Sequence, residues 1–133
     1  MRGAERRLAE ISGAEALWLL AGSRSGRLVY TRRGATVLRP AAHLLEYGRL
    51  IVRAPAPEEI AETDAEVTYQ VDEVNAASGR GWTVTAAGPV EAVADPYEHG
   101  HYRRVLRGWA HGRHDSVLRI MPHTVHGFRL ANR

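Results

Sequence analysis

Six of the seven histidines in this sequence form three close pairs, and this pattern raises the question of a metal site. The pairs are His99 with His101, His111 with His114, and His123 with His126. Zinc or iron catalysis requires about three protein ligands in one geometry. Residues three apart share a face only in a helix, and Gly112 and Pro122 oppose a helix at the last two pairs. We therefore expect hydrogen-bonded or solvated histidines and no metal site.

Nucleophilic catalysis finds little support in the residue types. His114, Asp115 and Ser116 contain the groups of a hydrolase triad, but side chains adjacent in sequence do not make a triad, and no nucleophile-elbow motif occurs. The chain has no cysteine, and all 18 basic residues are arginine. Thiol nucleophiles, thiolate metal sites, lysine Schiff bases and a P-loop lysine are therefore excluded. Serine, histidine, carboxylates, arginine or a bound organic cofactor remain.

The charge is unevenly distributed along the chain. The 133 residues carry a net charge of +3, but between Ala54 and Gly79 there are seven acidic residues and no basic one. Because the arginines elsewhere are scattered, we expect paired surface charge rather than a basic groove for nucleic acid. The N-terminus is charged, and no apolar run approaches the roughly 18 residues of a membrane span. We expect no membrane association and a cytoplasmic location.

Two capping signatures predict the helices that frame the chain. Ser12 and Glu15 form a capping box before apolar residues at helical spacing, which predicts a helix over 13–21, with a possible earlier turn at 4–10. Asp95 followed by Pro96 predicts a second helix from 96 to about 106.

Strand patterns fill most of the remaining chain. We predict strands over 26–32, 35–45, 49–53, 66–74, 82–93, 116–121 and 124–130, with tight turns at Arg33-Gly34 and Tyr47-Gly48. Pro40 implies a bulge, an edge or a bend in the second strand, because proline cannot donate to a ladder. The stretch 58–61 could form one helical turn. Short antiparallel strands with few helices predict a mainly β fold, a small closed or nearly closed barrel in one domain spanning 1–133, with 1–25 as an N-terminal helical segment and 26–130 as the barrel.

The order of several short segments resembles the pyridoxamine 5′-phosphate oxidase-like FMN-binding split-barrel family. The resemblance covers about residues 15–130, and it rests on the combined order of the segments rather than on any one of them. The segments are 19–28, 38–43, 48–53, 69–74, 79–84, 88–90, 105–110, 119–122 and 125–127.

This resemblance implies a six-stranded antiparallel Greek-key split barrel that forms a homodimer, with FMN in a cleft between the subunits. It also implies an oxidoreductase that acts on a small molecule, since a flavin supplies redox chemistry that a chain without cysteine or lysine cannot supply itself. A deazaflavin, or the haem that some split-barrel relatives bind, could take the place of FMN.

The resemblance also assigns candidate cofactor-binding residues. Arg39 and Pro40 match the strand that flanks the flavin ring, and His43 matches a position that often lines it. Arg53 matches the basic residue near the phosphate, where a fork of donors suits phosphate oxygens; Arg107 or Arg113 would supply these contacts if Arg53 does not. Two tryptophans match aromatic positions near the cleft: Trp82 and Trp109.

Three positions differ from the family pattern. Ala54 stands where a serine or threonine is common, the pair Glu58-Glu59 stands where a basic residue often occurs, and Ala41-Ala42 stand where an asparagine often follows the proline. Arg53 could also pair with the acidic segment that follows it, and Trp82 could be a core residue. The alternative function is therefore a non-catalytic or flavin-free split barrel that binds another ligand in the cleft.

Overall fold

The computed structural model describes residues 6–62 and 66–132. Helix α1 spans Gly13–Ala21, and its N-cap Ser12 accepts a hydrogen bond from the Glu15 amide at 3.1 Å, as the capping box predicted. Helix α2 spans Pro96–Val105, and the Asp95 carboxylate accepts hydrogen bonds from the first-turn amides. A 3₁₀ helix covers Glu58–Glu62. The two helices predicted from capping signatures and the helical turn considered at 58–61 are therefore present.

The strands of the described residues form one antiparallel nine-stranded sheet. In chain order they are β1 Arg6–Glu10, β2 Ser25–Arg32, β3 Ala35–Glu46, β4 Arg49–Ala54, β5 Val67–Val74, β6 Gly81–Gly88, β7 Val90–Ala92, β8 Ser116–Ile120 and β9 Thr124–Asn132. Their order across the sheet is β1-β9-β6-β5-β2-β3-β4-β8-β7. The meander β2-β3-β4, with β5 returning beside β2, is the Greek key of the expected split barrel.

The count of six or seven strands was too low for two reasons. The predicted strand 82–93 is divided at Pro89 into β6 and β7. An early helical turn was considered at 4–10; residues 4 and 5 lie outside the described residues, and Arg6–Glu10 form strand β1 instead. All five are exposed and their sequence has no clear strand pattern, so the pairing of β1 with the C-terminal half of β9 determines its conformation.

Pro40 lies at an edge of the sheet, which was one of the three possibilities for this position. Residues 35–41 of β3 pair only with β2, and pairing with β4 begins at Ala42. The missing N–H of Pro40 therefore breaks no ladder. The β2–β3 register runs from Ser25↔Ala42 to Arg32↔Ala35 without a bulge.

The sheet encloses one main core and carries a smaller one outside it. Leu20 of α1, Tyr69 of β5 and Leu118 of β8 belong to the main core and are fully buried. The second core forms where α2 covers the opposite face of β4 and β8, and it includes Tyr102 and Leu106. No helix within the described residues is long and apolar enough to cross a membrane.

Candidate functional site

The turn that joins α1 to β2 passes between two depressions in the surface. The larger one, called the cleft below, has a volume of about 620 Å³, which is typical of small-molecule sites. Its walls are the turn itself, the C-terminal part of β3, and the end of α2 with the two residues that follow it. These walls are formed by residues 21–25, 42–45 and 105–107.

Two arginines give the cleft its charge. Within the described part of the chain, Arg24 from the turn and Arg107, just after α2, are the only charged residues in its lining. Both are exposed, and neither side chain forms an ion pair or hydrogen bond with a residue that the structure describes. The cleft therefore presents two uncompensated guanidinium groups, which suit a phosphate or carboxylate ligand.

His43 lies in the wall of the cleft and belongs to a buried polar network. Its Nε2 is 3.1 Å from the Leu20 carbonyl and 3.0 Å from the Ser23 hydroxyl, and its Nδ1 is 2.6 Å from the Tyr69 hydroxyl. A carbonyl oxygen can only accept, so Nε2 carries the proton and Nδ1 accepts from Tyr69. Burial lowers the pKa of His43, although the Leu20 hydrogen bond opposes this, and the neutral ring completes the network.

The same network leaves Tyr69 protonated. Burial raises the pKa of its hydroxyl far above the ordinary value, so that it acts as a hydrogen-bond donor. Ser23 in turn donates to the Leu20 carbonyl at 2.9 Å. Three side chains from α1's C-terminal turn, β3 and β5 therefore hold the turn that carries Arg24 against the sheet.

Arg53 lies close to the cleft but is engaged by the protein itself. Its Nε and Nη2 donate in parallel to the Asp115 carboxylate, both at 2.9 Å. Its Nη1 donates to the carbonyls of Leu106 at 2.8 Å and Arg103 at 3.0 Å. Four of the five N–H groups of the guanidinium are thereby used, so Arg53 cannot bind a phosphate with two parallel hydrogen bonds in this arrangement. Its role as a phosphate ligand stays a prediction, and that role would require Asp115 to leave.

The ion pair of Arg53 fixes the segment that follows α2. The hydrogen bond from Arg53 holds the pKa of Asp115 below its ordinary value and outweighs the opposing effect of burial. The exposed Arg103 also donates to Asp115, at 2.9 Å. The partner of Arg53 is thus Asp115 and not the acidic segment 54–79. Together these contacts hold Leu106, and hence the neighbouring Arg107, beside the cleft.

The other predicted cofactor-binding residues do not line the cleft. Arg39 is half-buried and donates to its neighbour's carbonyl, while Pro40 is exposed on β3. Trp82 is half-buried at the start of β6, packs against the main core and lines the second depression. Trp109 is 50% exposed in the segment after α2. Of the residues that the sequence singled out, the structure therefore brings three to the cleft: His43, the alternative phosphate ligand Arg107 and, through Leu106, Arg53. Arg113, the other alternative, does not line it.

Sequence reasoning missed four residues that shape the site. Arg24 and Ser23 lie inside a segment that had been noted for the family resemblance, but neither was singled out. Tyr69 and Asp115 contact His43 and Arg53 across 26 and 62 residues of chain, and no local signal indicates such partners. Within residues 6–62 and 66–132, no group of three or more histidine, cysteine, aspartate or glutamate side chains is arranged to hold a metal ion.

Comparison with known proteins places these features in a family. The family model described as pyridoxamine 5′-phosphate oxidase matches residues 12–129. The uncharacterized protein Rv0080 of Mycobacterium tuberculosis (strain ATCC 25618 / H37Rv) is 32% identical over 132 residues, which cover 94% of this chain and 87% of that protein.

Two solved structures share the fold at lower identity. An FAD-binding protein from Mesorhizobium loti superimposes with a TM-score of 0.70 at 20% identity, covering 97% of this chain and 99% of that one. The FAD-binding protein from Mycobacterium smegmatis gives a TM-score of 0.65 at 17% identity, with 92% and 98% of the two chains covered. At these identities the similarity establishes a common fold.

Proposed function

This chain belongs to the pyridoxamine 5′-phosphate oxidase family, and from that premise we propose that it binds a flavin, FMN in the first instance, and passes reducing equivalents to a small organic molecule. A bound flavin supplies the electron transfer, and the protein has to hold it, orient it and exclude water. Two solved relatives of the same fold are FAD-binding proteins, which supports a flavin as the class of cofactor.

The observation that carries this proposal is the cleft with its two uncompensated arginines. Arg24 and Arg107 provide fork-shaped donors for a phosphate, and no carboxylate of residues 6–62 or 66–132 lines the cleft to compete with it. The phosphate donors missing at Ala54 and Glu59 are thus replaced from the turn before β2 and from the end of α2. A deazaflavin with a phosphate group would meet the same cations.

The buried network beside the cleft positions one of these cations. His43 is 2% exposed and holds the Leu20 carbonyl and Ser23, so the backbone that carries Arg24 is fixed before any ligand arrives. Arg53 does the same for Arg107 through the Leu106 carbonyl. In this proposal His43 and Arg53 are positioning residues, while the two exposed arginines contact the ligand.

We further propose a homodimer formed by the open outer face of the sheet. Cross-strand register places Leu8, Leu130, Gly81 and Val74 in one row on this face. Leu8 is 65% exposed and Val74 is 47% exposed, and a second copy would cover them. Light scattering should give a mass near twice 14.7 kDa; a concentration-independent monomer contradicts the dimer.

We also propose a cytoplasmic location, since a chain without cysteine needs no oxidising compartment to form disulfides.

Titration with FMN and with FAD, followed by flavin fluorescence, tests the proposed function. Arg24→Ala and Arg107→Ala should each weaken FMN binding about five- to tenfold, the size expected for a partly solvated hydrogen bond to a charged group. Arg49→Ala is the matched control, because Arg49 is exposed at the β3–β4 turn, outside the cleft. Absence of flavin binding, or equal affinities in all three variants, contradicts the assignment.

A flavin-free member of the family is the second candidate. The engagement of Arg53 by Asp115 favours it, because the one basic residue that matches the family's phosphate position is occupied. In that case the purified protein is colourless and no flavin binds at micromolar concentration. The cleft then serves another anionic ligand through the same two arginines.

A further inference from the structure

The second depression, called the groove below, lies on the other side of the turn from the cleft. Its volume is about 520 Å³, and it shares Ala21, Gly22 and Ser23 with the cleft. Its walls come from three elements, with Trp18 and Leu19 on α1, Trp82 at the start of β6, and one residue of β5. Trp18 is 71% exposed, although an indole of this size gains free energy by burial.

A single carboxylate determines the charge of the groove. Among the residues that the structure describes, Glu73 of β5 is the only charged one in the lining, and it is the cross-strand neighbour of Trp82 on the same sheet face. Its side chain forms no ion pair or hydrogen bond with the described residues. The neighbouring cation on this face, Arg129, is paired with Glu15 of α1 at 2.9 Å and leaves Glu73 uncompensated.

We infer that the groove is a binding site for a small organic cation. The faces of indole rings carry negative electrostatic potential and attract cations, and such contacts strengthen when a ligand displaces water from both partners. An unpaired carboxylate beside Trp82 adds a direct charge interaction. An anion would meet Glu73 without any cation to offset it. A planar cation such as an N-alkylpyridinium fits the chemistry of both tryptophans and of Glu73.

The inference is independent of the flavin proposal, since none of its three central residues lines the cleft. The two sites have opposite polarity across one turn: guanidinium groups line the cleft, and a carboxylate with two indoles lines the groove. An experiment could therefore disprove flavin binding in the cleft and still support cation binding in the groove, or the reverse. The occupant that competes with this interpretation is a second copy of the chain that covers Trp18.

Titration of the ¹⁵N-labelled full-length protein with N-methylpyridinium chloride tests the site. The chain has three tryptophans and hence three indole N–H signals, which Trp→Phe variants assign. The signals of Trp18 and Trp82 should shift with one common dissociation constant, while that of Trp109, outside the groove, should not move. Benzoate, with a ring of the same size and the opposite charge, should shift none of them.

Matched variants separate charge recognition from non-specific contact. Glu73→Gln should weaken N-methylpyridinium binding about threefold or more, and Trp18→Ala should do the same at an exposed position where folding is not at risk. Glu58→Gln makes the same charge change at an exposed site outside the groove and should have no effect. The inference would be overturned if benzoate shifted the indole signals as much as N-methylpyridinium, or if Glu73→Gln bound N-methylpyridinium with unchanged affinity. It would also be overturned if dimerisation covered Trp18 and the indole signals did not respond to the cation.

Discussion

Replacing Asp115 with alanine removes both oxygens that the Arg53 guanidinium binds in parallel. The two side chains are only 14% and 17% exposed, so water replaces the lost contacts poorly. Hydrogen bonds to charged groups contribute about 1.5–3 kcal/mol each, and loss of one partner from a fully buried pair costs about 3–5 kcal/mol. Because this pair lies near the surface, we expect Asp115→Ala to lower the free energy of unfolding by about 2–3 kcal/mol. That corresponds to a fall in Tm of roughly 7–11 °C for a chain of this length.

A double-mutant cycle isolates the pair from its surroundings. Urea unfolding of Arg53→Ala, Asp115→Ala and the double variant should give a coupling energy of about 2 kcal/mol, which excludes the separate contact of Asp115 with Arg103. The control cycle uses Arg129 and Glu15, an ion pair of the same N–O distance whose side chains are 46% and 37% exposed. Its coupling energy should stay below about 1 kcal/mol.

The pH dependence of the same variant provides an independent check. The pKa of Asp115 is lower in the folded protein than its ordinary value of 3.8. Its stabilising effect is therefore fully present above that value and is lost as pH falls toward the folded-state pKa. The difference between wild type and Asp115→Ala should narrow in that range. Equal coupling energies for the two ion pairs would refute the reasoning. A stability difference between wild type and Asp115→Ala that stays constant in acid would refute it as well.

Two further predictions concern the buried network and a close backbone contact. Burial lowers the pKa of His43, so the unfolded chain binds more protons, and the free energy of unfolding should fall as pH drops below about 6.5 toward the folded-state value. An NMR titration midpoint for His43 at or above that of an unfolded-chain histidine would contradict this. Gly81 has φ of 155°, and a Cβ there would lie 1.9 Å from the Glu73 carbonyl oxygen, so Gly81→Ala should lose about 3 kcal/mol or more in urea unfolding. Gly13→Ala, with open space at its Cβ, should change stability by less than about 0.5 kcal/mol, and similar losses in both variants would show that the contact is unimportant.

Local chemistry in the sequence determined the helices and most of the strands. Ser12 and Asp95 cap α1 and α2 with their own side chains, so each helix start depends on residues within one turn. Hairpins such as β2–β3 likewise depend on a turn dipeptide with positive φ at Arg33 and Gly34. The number and order of such elements predict a small antiparallel barrel, and the resemblance of the ordered segments identified it as the split barrel of a known family.

Contacts between distant parts of the chain determined strand β1 and the partners of the site residues. Strand β1 exists because β9 supplies its backbone partners about 120 residues away, and its own charged sequence gives no strand pattern. Arg53 looked like a free phosphate ligand until packing of the segment after α2 placed Asp115 in its fork. Arg24 and Arg107 share a cleft, and Glu73 joins two tryptophans in a groove, only through sheet register and helix packing. Side-chain partners at such separations depend on three-dimensional packing, for which a single sequence carries no local signal.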